Sequence, residues 1–150
     1  MKISYNWLKV HLDLELSAAD LAGHLLNLGF EVPSIERLGS KFSGVVVGKV
    51  ASKDKHPNAD KLSVCVVDDG ARQWNVVCGA PNVAAGQTVA FARIGAVLPN
   101  GFTIEGRKLR GVESQGMICS RDELGLPKDG DGIWVLGEGP ALGSDVGALL

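Results

Sequence analysis

The residues of this sequence with the clearest capacity for chemistry lie in the segment RKLRGVESQGM, which begins at Arg107. Arg107, Lys108 and Arg110 place three cations within four residues. Ser114 and Gln115 follow, and their side chains both donate and accept hydrogen bonds. Because guanidinium and ammonium groups bind phosphates, the segment predicts a site for a polyanion. A solvated charged surface is the alternative interpretation.

A second segment, HPNADKL, begins at His56 and follows the first apolar run of the chain. Pro, Asn and Asp side chains favour a turn here, and Lys55 and Lys61 add positive charge at its two ends. No partner base or nucleophile accompanies His56 in the sequence, so the motif does not predict catalysis. We interpret it as a well-formed loop that can contact a ligand through Asn58.

A third segment, VCGAPNV, begins at Val77 and leads out of another apolar run into a loop that contains Asn82. It lacks the GxxxxGK[ST] spacing of a phosphate-binding loop. Cys78 has no neighbouring His that would activate its thiol as a nucleophile. The segment therefore predicts a structural or binding loop.

The elements that must position these loops are expected to be short strands. Gly is abundant at 20 of 150 residues, and aromatic residues are only 5%, a balance that favours tight turns and bulges. Short β-branched runs predict strands at 45–50, 62–67, 74–78, 88–92, 101–104 with 107–109, and 132–136, with one helical turn at 120–124. This spacing is typical of a mainly β fold, a small closed barrel of the oligonucleotide/oligosaccharide-binding (OB) type, with a β-sandwich as the alternative.

A short helical piece is predicted before the barrel. Ser17 is a good N-cap and Gly29 a good C-cap for a helix over residues 18–28, and a shorter helix over residues 4–10 is expected to bury Trp7 and Leu8. Two such helices are too small to fold alone. We therefore predict a helical segment at 1–39 and a barrel domain at 40–150.

Composition excludes several classes of protein. The net charge of −2 gives no overall attraction for nucleic acid, so any polyanion must bind locally. The three Cys residues form no CxxC pair, which argues against a disulfide framework or a zinc site and predicts buried thiols in a reducing compartment. No apolar run approaches the ~20 residues that span a bilayer, so a cytoplasmic location without membrane contact is expected.

The motifs HPNADKL, VCGAPNV and RGVESQGM, in this order and spacing, resemble the tRNA-binding module of several synthetase-associated proteins, including the domain related to endothelial-monocyte-activating polypeptide. The opening MKISYNWLKVHLDLELSAADLAGHLLNLGFEV is similar to the N-terminus of the bacterial phenylalanyl-tRNA synthetase beta subunit. The resemblance extends from Met1 to about Gly143, and the chain resembles the N-terminal fragment of that longer subunit.

This resemblance implies a tRNA-binding module of an enzyme that attaches phenylalanine to its tRNA. The family uses ATP and Mg²⁺ at a site on the alpha subunit of an α2β2 heterotetramer, so it implies no catalytic residue, metal or cofactor in this segment. It also implies that later chain completes the helical piece. The residues expected to contact tRNA are Lys55, Asn58, Lys61, Asn82, Arg107, Lys108, Arg110, Ser114 and Gln115.

Two alternatives remain from the residues themselves. Trp74, Phe91, Phe102 and Trp134 lie in or beside predicted strands, where core packing is the expected fate, so stacking on bases has little support. Acidic groups are frequent in the last third of the chain and would repel tRNA, which leaves open a docking or assembly module that does not bind RNA. An independent enzyme has little support, because no acid–base pair, metal cluster or activated nucleophile is visible.

Overall fold

The computed structural model describes residues 1–36 and 40–150 of the chain. Contacts divide the chain into two compact units, Met1–Leu38 and Gly39–Leu150. The expected domain boundary, between residues 39 and 40, involves a residue outside the described ones. The elements are α1 (Tyr5–His11), α2 (Ala18–Asn27), β1 (Ser43–Lys55), β2 (Ser63–Asp68), β3 (Gln73–Cys78), β4 (Thr88–Val97), β5 (Arg107–Leu109), β6 (Val112–Ser114), β7 (Gly116–Ile118) and a 3-10 turn at Val146–Leu149.

The larger unit is built on a curled antiparallel sheet with the strand order β3-β2-β1-β4-β7. The long central strand β1 pairs with β4 through its first half and with β2 through its second half. Its register shifts between Ser43 and Val45 and again between Val50 and Ser52. Such bulges increase the bending and twist of a strand. The bent β1 can therefore pair with β4 and β2, which run in different directions in the curled sheet.

Residues 45–48 of the central strand are buried on both faces, which explains the apolar run of Val45, Val46 and Val47. Val45 and Val47 pack in one core cluster, while Val46 and Val50 pack in a second cluster on the other face. Between them, a Cβ on Gly48 would lie 2.7 Å from a methyl carbon of Val67. The close packing of β1 on β2 therefore requires glycine at this position.

The predicted strands at 45–50, 62–67, 74–78, 88–92 and 107–109 are confirmed, and two others do not form strands. Residues 101–104 and 132–136 form only isolated bridges, at Thr103 and Val135. Left-handed Gly132 and Gly137 enclose the second segment and prevent a longer ladder. Residues 121–125 form hydrogen-bonded turns instead of a helix.

The N-terminal unit contains the two predicted helices. The Ser17 hydroxyl accepts a hydrogen bond from the Asp20 N–H at 3.1 Å, and Gly29 follows α2 with φ of 89°, so both predicted caps are confirmed. The prediction that α1 buries Trp7 was wrong: its side chain is 58% exposed. The fold is thus mainly β with two short helices at its N-terminus.

Candidate nucleic-acid interface

The basic segment forms a hairpin of β5 and β6. Leu109 pairs with Val112 across the two-residue turn of Arg110 and Gly111. Both turn residues have positive φ, 50° and 88°, which is the backbone of a type I′ turn. The left-handed backbone conformation costs free energy for a residue with a side chain, so Arg110 adopts a conformation that its side chain disfavours.

The hairpin is docked onto the HPNADKL loop by two side chains of that loop. The imidazole of His56 lies 2.9 Å from the Leu109 carbonyl oxygen, and the Asn58 side-chain amide donates to the Arg110 carbonyl at 3.0 Å. The two motifs are more than 50 residues apart in sequence and adjacent in space. His56 and Asn58 thereby fix the orientation of the Arg110–Gly111 turn.

The hydrogen bonds of His56 define its tautomer. Its Nδ1 accepts a hydrogen bond from the Asn58 backbone N–H at 3.0 Å, so the ring proton resides on Nε2, which donates to Leu109. The side chain is only 2% exposed. His56 is therefore a positioning residue and offers no free nitrogen for acid–base chemistry.

Ser114 and Gln115 join the other end of the hairpin to β3. The Ser114 hydroxyl accepts from the Val77 N–H at 3.0 Å and donates to the Gly116 carbonyl at 3.1 Å. Gln115 donates its backbone N–H to the Asn75 carbonyl at 2.7 Å, and its side-chain oxygen accepts from the Asn75 N–H at 3.3 Å. Ser114 is buried, and its hydroxyl is used within the chain in both roles.

Asn82 plays a comparable part in the third motif. Its side-chain oxygen accepts from the Ile133 N–H at 2.9 Å, and its amide donates to the Ile133 carbonyl at 3.0 Å. A Cβ on Gly132, whose φ is 100°, would collide with that oxygen. The side-chain amide of Asn82 thus pairs with both backbone groups of Ile133, as a neighbouring strand would, and holds that segment in place.

The cations predicted to bind tRNA differ in whether they form an ion pair within the chain. Lys55 forms an exposed ion pair with Asp60 at 3.4 Å. Within the described part of the chain, the exposed side chains of Lys61, Arg107, Lys108 and Arg110 form no ion pair.

The strand register of β5 and β6 divides the basic cluster. Arg107 lies opposite Ser114, whereas Lys108 lies opposite Glu113, and adjacent residues of a strand point to opposite faces. Arg107 and Lys108 therefore present their charges on two faces of the hairpin.

Three of the four aromatic residues expected in the core pack there, and Phe102 does not. Phe91 is fully buried, and Trp74 and Trp134 are partly buried against the core, as predicted. Phe102 is 42% exposed, so the prediction of core packing was wrong for this residue. The Asn100–Gly101 turn just before it was the available signal, because a residue that follows a tight turn at the surface has few core neighbours.

The buried titratable groups serve the structure. Burial alone would raise the pKa of Asp69, but hydrogen bonds from the Arg72 and Ala71 N–H groups, the Trp74 indole and the Arg93 guanidinium lower it to about 2. Burial raises the pKa of the Cys65 thiol to about 11 and that of Cys119 to about 12. Buried thiols that are held protonated in this way are poor nucleophiles at neutral pH.

A cavity of about 660 Å³ lies between the end of β3 and the segment from Ser120 to Val135. Its charged lining residues are Arg121, Asp122, Glu123, Lys128, Asp129 and Asp131. The acidic excess makes this cavity a poor receptor for phosphate, in contrast to the hairpin.

Across residues 1–36 and 40–150, no group of three His, Cys, Asp or Glu side chains is placed to hold a metal ion. None of the helices described has the length and apolar character that crossing a membrane requires.

Comparison with known proteins connects this arrangement to a family. The family model described as "Putative tRNA binding domain" matches residues 45–144, which include all three motifs. The phenylalanine–tRNA ligase beta subunits of Hahella chejuensis and Trichormus variabilis are 51% and 54% identical to the chain, each over 100% of it. That of Syntrophus aciditrophicus is 43% identical, again over 100% of the chain. The chain spans 19% of the length of each of these three relatives. With 45–144 matched by the family model, the chain belongs to the tRNA-binding domain family.

Proposed function

We propose that the chain is the tRNA-binding module of a phenylalanine–tRNA ligase beta subunit. The observation that carries the proposal is the family match over residues 45–144, together with identity to the beginning of those subunits over the whole chain. The hairpin cations add a physical reason, because unpaired Arg and Lys side chains release counterions when they contact phosphates. The family match does not favour the alternative of a docking module that binds no RNA.

The proposed contacts divide the nine predicted residues by role. The exposed cations Lys61, Arg107, Lys108 and Arg110 contact tRNA phosphates, and Lys55, which is paired with Asp60, lies beside them in sequence. Asn58, Ser114 and Gln115 hold the hairpin that carries three of these cations, whereas Asn82 holds the segment around Ile133. Exposed Asn58 retains its side-chain oxygen for an RNA hydroxyl. Phosphate contacts of this kind fix orientation and carry little sequence preference.

We also propose that the curled sheet closes as an OB barrel. The support is the contact of its two edges: β3 meets the β6–β7 connection through the backbone hydrogen bond from Gln115 to Asn75. The Ser114 hydroxyl adds a second link to β3 through the Val77 N–H. A closed barrel leaves no free sheet edge, and its loops form one surface for nucleic acid.

The remaining parts of the proposal concern the complete enzyme. In it, an alpha subunit pairs with the beta subunit in an α2β2 heterotetramer, and ATP and Mg²⁺ are used for aminoacylation outside this segment. A cytoplasmic location follows from a role in charging tRNA. The support is the naming of the relatives as ligase beta subunits. In this proposal residues 1–39 belong to a domain that later chain completes, and 40–150 form the barrel.

The test is a charge reversal on the hairpin, at one strand residue and one turn residue. Lys108→Glu with Arg110→Glu should weaken binding of unmodified tRNA by roughly tenfold or more, measured by fluorescence anisotropy, because two phosphate contacts become repulsive. Lys9→Glu with Lys41→Glu changes the net charge equally at exposed positions outside the motifs and serves as the matched control. Equal affinities of the two double variants, with intact circular dichroism, would contradict the proposed interface.

A further inference from the structure

Phe102 is an exposed aromatic side chain beside the basic hairpin. The guanidinium carbon of Arg107 lies 5.1 Å from the centroid of its ring, within the range of a cation–π interaction. The backbone of Phe102 is fixed by hydrogen bonds to the Asn100 side chain at 2.9 Å and from the Leu98 N–H at 2.9 Å. The ring is therefore presented to solvent from a well-ordered turn.

A small groove opens beside this ring. It has a volume of about 180 Å³, and its walls include Phe102, Ile104 and Leu109, with Glu105 and Arg107 among its charged lining residues. Pockets for drug-sized ligands measure roughly 300–1,000 Å³, so this groove suits a single ring system. Its apolar walls with one cation and one carboxylate are suited to a flat group that has polar edges.

We propose that this groove binds one unpaired nucleobase of tRNA, stacked on Phe102. Arg107 contacts the phosphate next to that base, and Glu105 accepts a hydrogen bond from an N–H on the edge of the base. The proposal rests on the tRNA-binding function above and names the subsite within it. Unpaired bases in RNA loops are the parts that proteins bind by stacking on aromatic rings.

Charge favours a nucleobase over an apolar side chain of a protein partner. The same hairpin presents Arg107, Lys108 and Arg110, which form no ion pair within the residues that the structure describes. An apolar peptide would derive nothing from Arg107, the cation that lines the groove. A nucleotide within an RNA strand has a phosphate on each side of its ribose, so stacking on Phe102 and an ionic contact with Arg107 are satisfied together.

The direct experiment replaces the ring. Phe102→Leu should weaken binding of unmodified tRNA by at least about fivefold, since a stacked base contributes about 1–3 kcal/mol. The slope of affinity against salt should stay unchanged, because no charge is removed. Phe102→Tyr retains the ring and should restore affinity. Phe30→Leu, at the 64% exposed phenylalanine of the N-terminal unit, is the matched control and should bind as the unaltered chain does.

A measurement on the unaltered chain does not depend on how the variants fold. Ring proton signals of Phe102 should shift upfield in NMR spectra when single-stranded heptaadenylate RNA is added. A ring that does not respond, or a Phe102→Leu chain that is folded and binds tRNA normally, would overturn the subsite while leaving tRNA binding intact. An unaltered chain that binds no tRNA would overturn the proposed function and the subsite with it.

Discussion

At the scale of single residues, the main distinction is between polar groups that are used inside the chain and cations that are free. Ser114, Asn82 and His56 have their polar atoms bonded to backbone groups of distant segments. Arg110 is different, because its exposed side chain is carried by a left-handed backbone that favours Gly or Asn. A charged residue that is retained at a position where its backbone is strained is expected to have a function such as ligand binding, in addition to any structural role.

Arg110→Asn should therefore have opposite effects on stability and binding. Asn tolerates φ of 50° better than Arg, so the free energy of unfolding should rise by about 0.5–1 kcal/mol in urea titrations. The loss of one cation should weaken tRNA binding and reduce the salt slope by about 1. A more stable chain with unchanged tRNA affinity would show that the Arg110 charge has no role in binding.

Asp69 gives a prediction for the dependence of stability on pH. Its pKa of about 2 lies below that of an unfolded chain, about 4, so the ionised carboxylate stabilises the fold above pH 4. That contribution, about 2 kcal/mol, should be lost as the pH falls from 4 to 2. The difference in unfolding free energy between the unaltered chain and Asp69→Asn should narrow over this interval. Parallel curves for the two chains would contradict the assignment.

At the scale of elements, the site depends on a hairpin of two three-residue strands that is held mainly by its neighbours. An isolated two-stranded hairpin is at best marginally stable in water. Contacts from the HPNADKL loop at one end and from β3 at the other supply the missing stability. Three motifs that are separate in sequence thus form one supported surface.

His56→Ala should release one end of this hairpin. The change removes two hydrogen bonds and leaves the Leu109 carbonyl without its partner, which should lower the free energy of unfolding by about 2 kcal/mol. Amide hydrogen exchange should accelerate in β5 and β6 while β1 and β4 remain protected. Uniform acceleration throughout the sheet would mean that His56 stabilises the whole domain and not the hairpin in particular.

The elements also show what could be predicted from sequence. Strands β1 to β4 could be predicted from their β-branched runs, because β-branched residues favour strands and pack well on a half-buried sheet. The Val-Glu-Ser of β6 has no such pattern, and its strand forms only because the Arg110–Gly111 turn returns it to β5. The basic cluster was visible in the sequence, whereas its attachment to His56 was not, since that bond spans 53 residues.

At the scale of the whole molecule, a net charge of −2 is compatible with tRNA binding because, among the described residues, the hairpin and its docked loop carry four exposed cations without an ion pair. Most of the charged residues around the large cavity are acidic, while the hairpin and its docked loop present free cations. Phosphates are attracted by the local field of such a patch. With only about four free cations, binding should be weak and governed by salt.

The most direct test is a titration of the chain with unmodified tRNA at several salt concentrations, with duplex RNA as the control. Four phosphate contacts predict a slope of about −3 to −4 in a plot of log affinity against log salt. Affinity for tRNA should exceed that for the duplex at each salt concentration. No binding of tRNA at low salt, or an affinity that does not change with salt, would contradict a tRNA interface on this domain.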